Sequence, residues 1–98
     1  MRLEVTKRAQ REAKRLAGWW LEHRDKAPEL FEEELLAAYG VILSEPALGQ
    51  TYAVSRGRRI QRVLMPRTKN HVYYHQKSTD VVQVIAIWGA IRGRGPKL

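Results

Sequence analysis

The stretch VVQVIAIWGAIRGRGPKL, residues 81–98, decides the fold. Its first eight residues are apolar except for Gln83, which predicts a strand. Successive side chains of a strand point to opposite faces, so we expect two sets: Val82, Val84, Ala86 and Trp88 on one face, and Val81, Gln83, Ile85 and Ile87 on the other. Both faces are apolar, so both should be covered in the working protein.

The chain has 98 residues, enough for a single domain (1–98) with one core. No run approaches the roughly 20 apolar residues of a membrane span, and the charged start MRLEVTKRAQ lacks the apolar stretch of a secretion signal. We therefore expect a cytoplasmic protein without a membrane partner. The absence of cysteine excludes disulfides, zinc thiolate sites and thiol nucleophiles.

Positive charge is concentrated in the second half of the chain. Residues 1–45 carry 8 Lys and Arg against 9 Asp and Glu, a balance of −1, whereas residues 46–98 carry 10 against Asp80 alone, a balance of +9. This distribution favours one basic surface that meets a polyanion or an acidic partner. A solvated, solubilising face is the other interpretation.

The first half predicts a short strand followed by two helices. Arg2 to Val5 alternate as a strand, and Thr6 is a plausible N-cap for a helix whose apolar residues recur at helical spacing. HRDKAP interrupts the pattern, and Pro28 suits the first turn of a second helix. That helix should run to about Ser44, where Pro46 stops it, which makes a helical hairpin.

The second half predicts a loop and then three strands. Pro46 to Arg59 is loop-like, with two glycines and the cluster SRGRR. Short polar connections separate strands at Ile60–Met65, His71–Gln76 and Val81–Trp88, which is typical of an antiparallel meander. The predicted fold class is α+β, a helical hairpin packed on a small, mostly antiparallel sheet, in the order βααβββ.

HVYYH carries the strongest catalytic signal. His71, Tyr73 and His75 alternate onto one face of a strand among Arg and Lys, and RNA cleavage needs a base, an acid and cations. A shared metal ion is excluded, because four residues of strand separate the two histidines by about 13 Å. A polar, half-solvated sheet face with Val72 and Tyr74 turned inward explains the same pattern.

The tail RGRGP suits contacts with phosphates, but five residues are a weak signal. GAIRGRG lacks the spacing and the following helix of a dinucleotide fingerprint, and no nucleophile elbow or phosphate loop is present. The sequence therefore predicts no cofactor and no metal site.

The order of strand, helical hairpin and strand meander resembles the RelE/ParE family of toxins from bacterial toxin-antitoxin pairs. The resemblance covers nearly the whole chain and is most specific in RRIQRVLMPRTKNHVYYHQKSTDVVQVIAIWGAIRGRGPKL. This stretch is similar to the family's Arg-bearing strand, its hairpin strand with adjacent tyrosines, and its apolar strand ending in Trp or His before Arg. WWLEHRDKAPELFEEEL and SEPALGQ also resemble ParE-type members.

The family implies two different activities. RelE-like members cut messenger RNA on the ribosome, whereas ParE-like members inhibit DNA gyrase by binding it. The ribonucleases carry a Tyr or His near the C-terminus to assist proton transfer, but AIRGRGPKL has only arginines and a lysine, which stay protonated near neutral pH. The resemblance therefore favours a gyrase-inhibiting toxin that restrains growth and is not an enzyme.

The resemblance also assigns candidate residues. Target engagement falls to the cations expected at one end of the meander: Arg67, Lys69, Arg92, Arg94 and Lys97. A cognate acidic antitoxin would form a hetero-oligomer through Trp19, Val81, Ile85 and Ile87. If the protein is instead a ribosome-dependent endonuclease, the catalytic candidates are His71, Tyr73, His75, Arg62 and Arg92. A plain nucleic-acid-binding module is the third alternative, and it should bind naked DNA or RNA with a steep salt dependence.

Overall fold

The computed structural model describes residues 1–23, 27–91 and 94–98, and it has the predicted α+β architecture. Two helices pack on one face of a five-stranded sheet with strand order β1-β5-β4-β3-β2, in which only β1 and β5 are parallel. The elements are β1 (Arg2–Val5), α1 (Lys7–His23), α2 (Leu30–Ser44), a 3-10 turn (Pro46–Leu48), β2 (Gln50–Ser55), β3 (Arg58–Met65), β4 (Asn70–Gln76) and β5 (Val81–Gly89).

The ends of the helices follow the capping signals in the sequence. The Thr6 hydroxyl accepts a hydrogen bond from the backbone N–H of Ala9 at 3.1 Å, so Thr6 caps α1 as predicted. The second helix ends at Ser44, two residues before Pro46, which also confirms the prediction. Neither described helix has the length and apolar character needed to cross a bilayer.

The main core lies between the helices and the sheet. Ala9 of α1 and Phe31 and Ile42 of α2 are buried against apolar side chains of the three central strands. Those strand residues are Met65, Val72, Tyr74, Val82, Val84 and Ile87. A smaller cluster lies on the opposite side of the sheet, here called the far face, and consists of Ile60, Tyr73 and Ala86 with Tyr52, Ile85 and Trp88.

A bulge in β5 changes which side chains share a face. Tyr74 pairs with Val84 and Tyr73 pairs with Ala86, so Ile85 has no partner on β4. The extra residue reverses the alternation beyond it and turns Ile87 toward the helices, where it is fully buried. The prediction that Ile87 shares the far face with Ile85 is therefore wrong, because uniform alternation does not hold across a bulge.

Part of the predicted loop is a strand. Within the stretch expected to be irregular, β2 (Gln50–Ser55) pairs with β3 along the sheet edge. This edge strand has a bulge of its own at Tyr52, which has no partner on β3. A bulged edge strand with one neighbour has weak alternation, which explains why the sequence pattern indicated a loop.

Candidate functional site

Two of the target-binding candidates, Arg67 and Lys69, lie in the turn between β3 and β4. Both side chains are exposed, whereas Thr68 between them is buried. A single carboxylate from α2 holds this turn: Glu34 accepts hydrogen bonds from the backbone N–H groups of Arg67 and Thr68 and from the Thr68 hydroxyl, at 2.8–3.2 Å. The two cations are therefore presented on a backbone fixed to a helix.

Opposing influences act on the pKa of Glu34. Desolvation by burial is the largest of them and would raise that pKa. The hydrogen bonds from Arg67 and Thr68, with the charge of Arg67, together outweigh burial and lower the pKa below its ordinary value of 4.5. Sequence reasoning missed Glu34, because its partners are more than thirty residues away and nothing in EEEL distinguishes it from Glu32 or Glu33.

We expect Glu34→Gln to lower the free energy of unfolding by about 1.5–3 kcal/mol at pH 7, since hydrogen bonds to a charged group contribute about that much. The folded-state pKa is lowered, so this contribution is present above pH 4.5 and is lost as the pH falls through the folded value. Urea unfolding of both proteins at a series of pH values from 7 down to 2 measures the difference. The exposed Glu22→Gln is the control, expected within about 0.5 kcal/mol of wild type. A difference between Glu34→Gln and wild type that does not shrink as the pH falls below 4.5 would contradict the assignment.

The tail begins beside this turn and then leaves it. The backbone N–H of Ala90 donates to the Lys69 carbonyl at 2.8 Å, which brings the end of β5 to the β3–β4 turn. Arg94 is exposed near Trp88, whose indole N–H donates to the Arg94 carbonyl at 3.0 Å. The Lys97 carbonyl instead accepts from Arg8 at the start of α1. Lys97 therefore does not join the group at the turn, and Arg92 lies outside the described residues.

The same tail covers part of the far face. Pro96 is buried, and Gly95 lies so close to the Tyr52 hydroxyl that a Cβ at position 95 would collide with it. Leu98 reaches a cleft that also contains Ile60 and Ile85. The expected cover of this face is therefore supplied in part by the chain's own last residues, which lie across it.

The acid and base candidates of β4 differ in their exposure to solvent. As predicted, His71, Tyr73 and His75 share the far face while Val72 and Tyr74 join the main core. Tyr73 is only 1 % exposed and His75 only 3 %, whereas His71 is partly exposed. Within the described residues, His71 is thus the one member of this trio that solvent reaches.

His71 and Arg62 lie on either side of Tyr73. An Arg62 N–H donates to the Tyr73 hydroxyl at 3.4 Å, and the His71 ring meets the Tyr73 ring edge-on, with centroids 5.9 Å apart. Arg62 also donates to Gln50 at 2.9 Å and lies over the Tyr52 ring. Burial, the larger influence, and the charge of Arg62 lower the pKa of His71 below 6.5, which favours the neutral imidazole at pH 7.

The antitoxin-binding candidates fall into two groups. Val81, 9 % exposed, and Ile87, fully buried, are not available at the surface, and Ile85 is partly buried. Trp19 is 46 % exposed on α1, and its ring stacks on His23 at a centroid distance of 4.5 Å. Sequence reasoning missed the apolar surface around the helical hairpin, formed by the groove residues Ala13, Ala17, Gly18, Leu21, Phe31 and Leu35 and by the exposed Leu36, Val41 and Leu43.

Comparison of the sequence with protein-family models and with curated proteins finds no match. Across residues 1–23, 27–91 and 94–98, no three His, Cys, Asp or Glu side chains cluster closely enough to hold a metal ion.

Proposed function

We propose that the protein is a ParE-like toxin of a bacterial toxin-antitoxin pair, which inhibits DNA gyrase by binding and is neutralised by a cognate acidic antitoxin. The observation that carries this choice is the burial of Tyr73 and His75. Cleavage of an RNA backbone needs both a proton acceptor and a proton donor at the reacting bond. Of the β4 trio, only His71 is accessible, which favours action by binding over catalysis.

The proposed target-binding surface is the β3–β4 turn together with Arg94. Arg67 and Lys69 project from a turn whose backbone is held by Glu34, so a partner that binds them pays little conformational entropy to order this turn. The second half of the chain carries the +9 balance, which supports an acidic partner surface. Within this proposal Lys97 is reassigned away from the turn, because its backbone is bonded to Arg8.

The proposed antitoxin site is the outer surface of the helical hairpin. The groove between α1 and α2 has a volume of about 460 Å³ and is mostly apolar, and exposed Leu36 and Leu43 extend that surface along α2. Arg11 and Lys14 are exposed along α1 beside it. An amphipathic acidic helix fits this combination, with apolar residues in the groove and carboxylates on the two cations.

Purified protein is expected to inhibit supercoiling by the producing organism's gyrase and to raise the amount of cleaved DNA complex. Reversing both charges of the turn, Arg67→Glu with Lys69→Glu, should raise the half-inhibiting concentration at least about tenfold, equivalent to about 1.4 kcal/mol of binding. The charge-matched control, Arg11→Glu with Lys14→Glu on α1, should inhibit gyrase like wild type. Full supercoiling activity with a stoichiometric excess of the protein would overturn the proposal.

A ribosome-dependent endonuclease is the second candidate, and one observation favours it. The lowered pKa of His71 favours its neutral form at pH 7, and His71 lies beside Tyr73 and Arg62, which would place a base near a cation. Cuts in message bound to ribosomes that disappear with His71→Ala would replace the first proposal by this one. A protein that is harmless when expressed and binds naked nucleic acid with a steep salt dependence would instead be a simple binding module.

A further inference from the structure

A second concave site lies at the other end of the far face from the β3–β4 turn. It is a cleft of about 470 Å³, here called the arginine cleft, bounded by Arg8, Arg56, Arg58, Ile60, Ile85 and Leu98. Its volume is within the range of about 300–1,000 Å³ that holds small ligands in proteins. Neither the proposed gyrase surface nor the proposed antitoxin groove includes these residues.

Three arginines line the cleft, and none of the described residues around it is Asp or Glu. Arg8 is already occupied, because it donates to Glu12 and to the Lys97 carbonyl. Arg56 and Arg58 make no ion pair with an acidic side chain in the described part of the chain. Arg56 and Arg58, which line one cleft without an acidic side-chain partner, are suited to a phosphate, because guanidinium groups bind phosphates through paired hydrogen bonds.

A buried histidine in the same cleft lacks one hydrogen bond. Two groups lie against His75 Nε2: Gln83 Oε1 at 2.9 Å and the Arg58 guanidinium at 3.5 Å. The Gln83 amide donates through its own Nε2 to Glu4 at 3.3 Å, so its Oε1 faces the histidine, and the shorter contact assigns the hydrogen to His75 Nε2 as the donor to Gln83. In that tautomer Nδ1 is an acceptor. It is buried and has no partner among the described residues. A buried, unpaired acceptor is unfavourable, and a ligand that brings an N–H donor would satisfy it.

We propose that the arginine cleft binds a free nucleoside monophosphate, with the phosphate on Arg56 and Arg58 and an N–H of the base on His75 Nδ1. The apolar side chains of Ile60, Ile85 and Leu98 supply the surface that a flat base needs. A phosphate alone would leave Nδ1 unpaired, and a nucleoside alone would leave the arginines without an anion. This inference is independent of the proposed gyrase inhibition.

Arg56 allows the proposal to be tested without loss of the fold. It occupies the β2–β3 hairpin with φ +53°, followed by Gly57 with φ +76°, as a two-residue hairpin turn with positive φ requires. Asn adopts this left-handed conformation more readily than Arg does. Arg56→Asn should therefore keep or raise the melting temperature while it removes one phosphate ligand.

The experiment is calorimetric titration of the full chain with AMP, adenosine and inorganic phosphate. We expect AMP to bind at least tenfold more tightly than either fragment. Arg56→Asn and Arg58→Gln should each weaken AMP binding at least tenfold, whereas Arg15→Gln, which removes one exposed cation from α1, should leave it unchanged. The NMR signal of His75 Nδ1 should shift when AMP is added, because it gains a hydrogen bond.

Four results would overturn the proposal. The first is no AMP binding at millimolar concentration, and the second is AMP binding that neither arginine variant weakens. The third is phosphate binding as tight as that of AMP, which would assign a simple anion site. Tighter binding of a 5′-phosphorylated tetranucleotide than of AMP would assign the cleft to a nucleic-acid end. Gyrase inhibition is measured on Arg56→Asn and Arg58→Gln as well. Both variants should inhibit like wild type whether or not AMP binds, because neither residue belongs to the proposed gyrase-binding surface.

Discussion

Ile87→Asp is expected to abolish the folded state, whereas Ile85→Asp should leave a folded protein. The physical reason is the bulge in β5, which places Ile87 in the main core with no exposed surface and leaves Ile85 on the far face. A buried carboxylate without a partner costs more than about 4 kcal/mol, a large part of the 5–15 kcal/mol that stabilises a domain. At position 85 the charge would lie in the arginine cleft, near Arg8 and Arg58.

Circular dichroism and thermal unfolding of the two variants measure this difference. Alanine variants make the comparison quantitative if the Asp variant does not accumulate: Ile87→Ala should lose about 2–5 kcal/mol, and Ile85→Ala clearly less. Equal losses at the two positions would mean that β5 alternates without interruption and that the bulge is absent.

The sequence predicted the helices and central strands because their signals are local. Thr6 caps a helix through a hydrogen bond to a residue three positions away, and Pro46 ends a helix through its own ring. The alternation in HVYYH was likewise sufficient to separate Val72 and Tyr74 from their neighbours. Each of these inferences needed no knowledge of the partner strand.

The bulge and the returning tail could not be predicted in this way. VVQVIAIW is apolar at nearly every position, so the pattern does not say which residues face the helices. The bulge at Ile85 becomes visible only when β5 is paired with β4. The composition of RGRGP suited contacts with phosphates and gave no sign of packing, yet Gly95 permits close contact with Tyr52 and Pro96 is buried. The candidate site was affected most, because Lys97 and Ile87 were assigned from those two features.

Gly49→Ala is expected to destabilise the protein by about 3–5 kcal/mol, although the position precedes an edge strand and its side chain is only one hydrogen. The Tyr74 hydroxyl accepts from the Gly49 N–H at 3.1 Å and donates to the Pro46 carbonyl at 2.6 Å. A Cβ at position 49 would collide with that hydroxyl and lie 2.8 Å from ring carbon Cζ. Tyr74 is fully buried in the main core, so its ring cannot move aside without disturbing that core.

The matched control is Gly40→Ala on α2, where no atom lies within 4 Å of the added Cβ and where alanine should stabilise the helix by about 0.5–1 kcal/mol. Urea unfolding of both variants gives opposite signs if the close approach to Tyr74 is the cause. Tyr74→Phe removes the nearest colliding atom, so the double variant Gly49→Ala with Tyr74→Phe should lose less stability than the sum of the single variants. Additive losses would show that the glycine is required for a reason other than the tyrosine hydroxyl. If one substitution creates a collision and the other removes it, their effects on stability must be coupled.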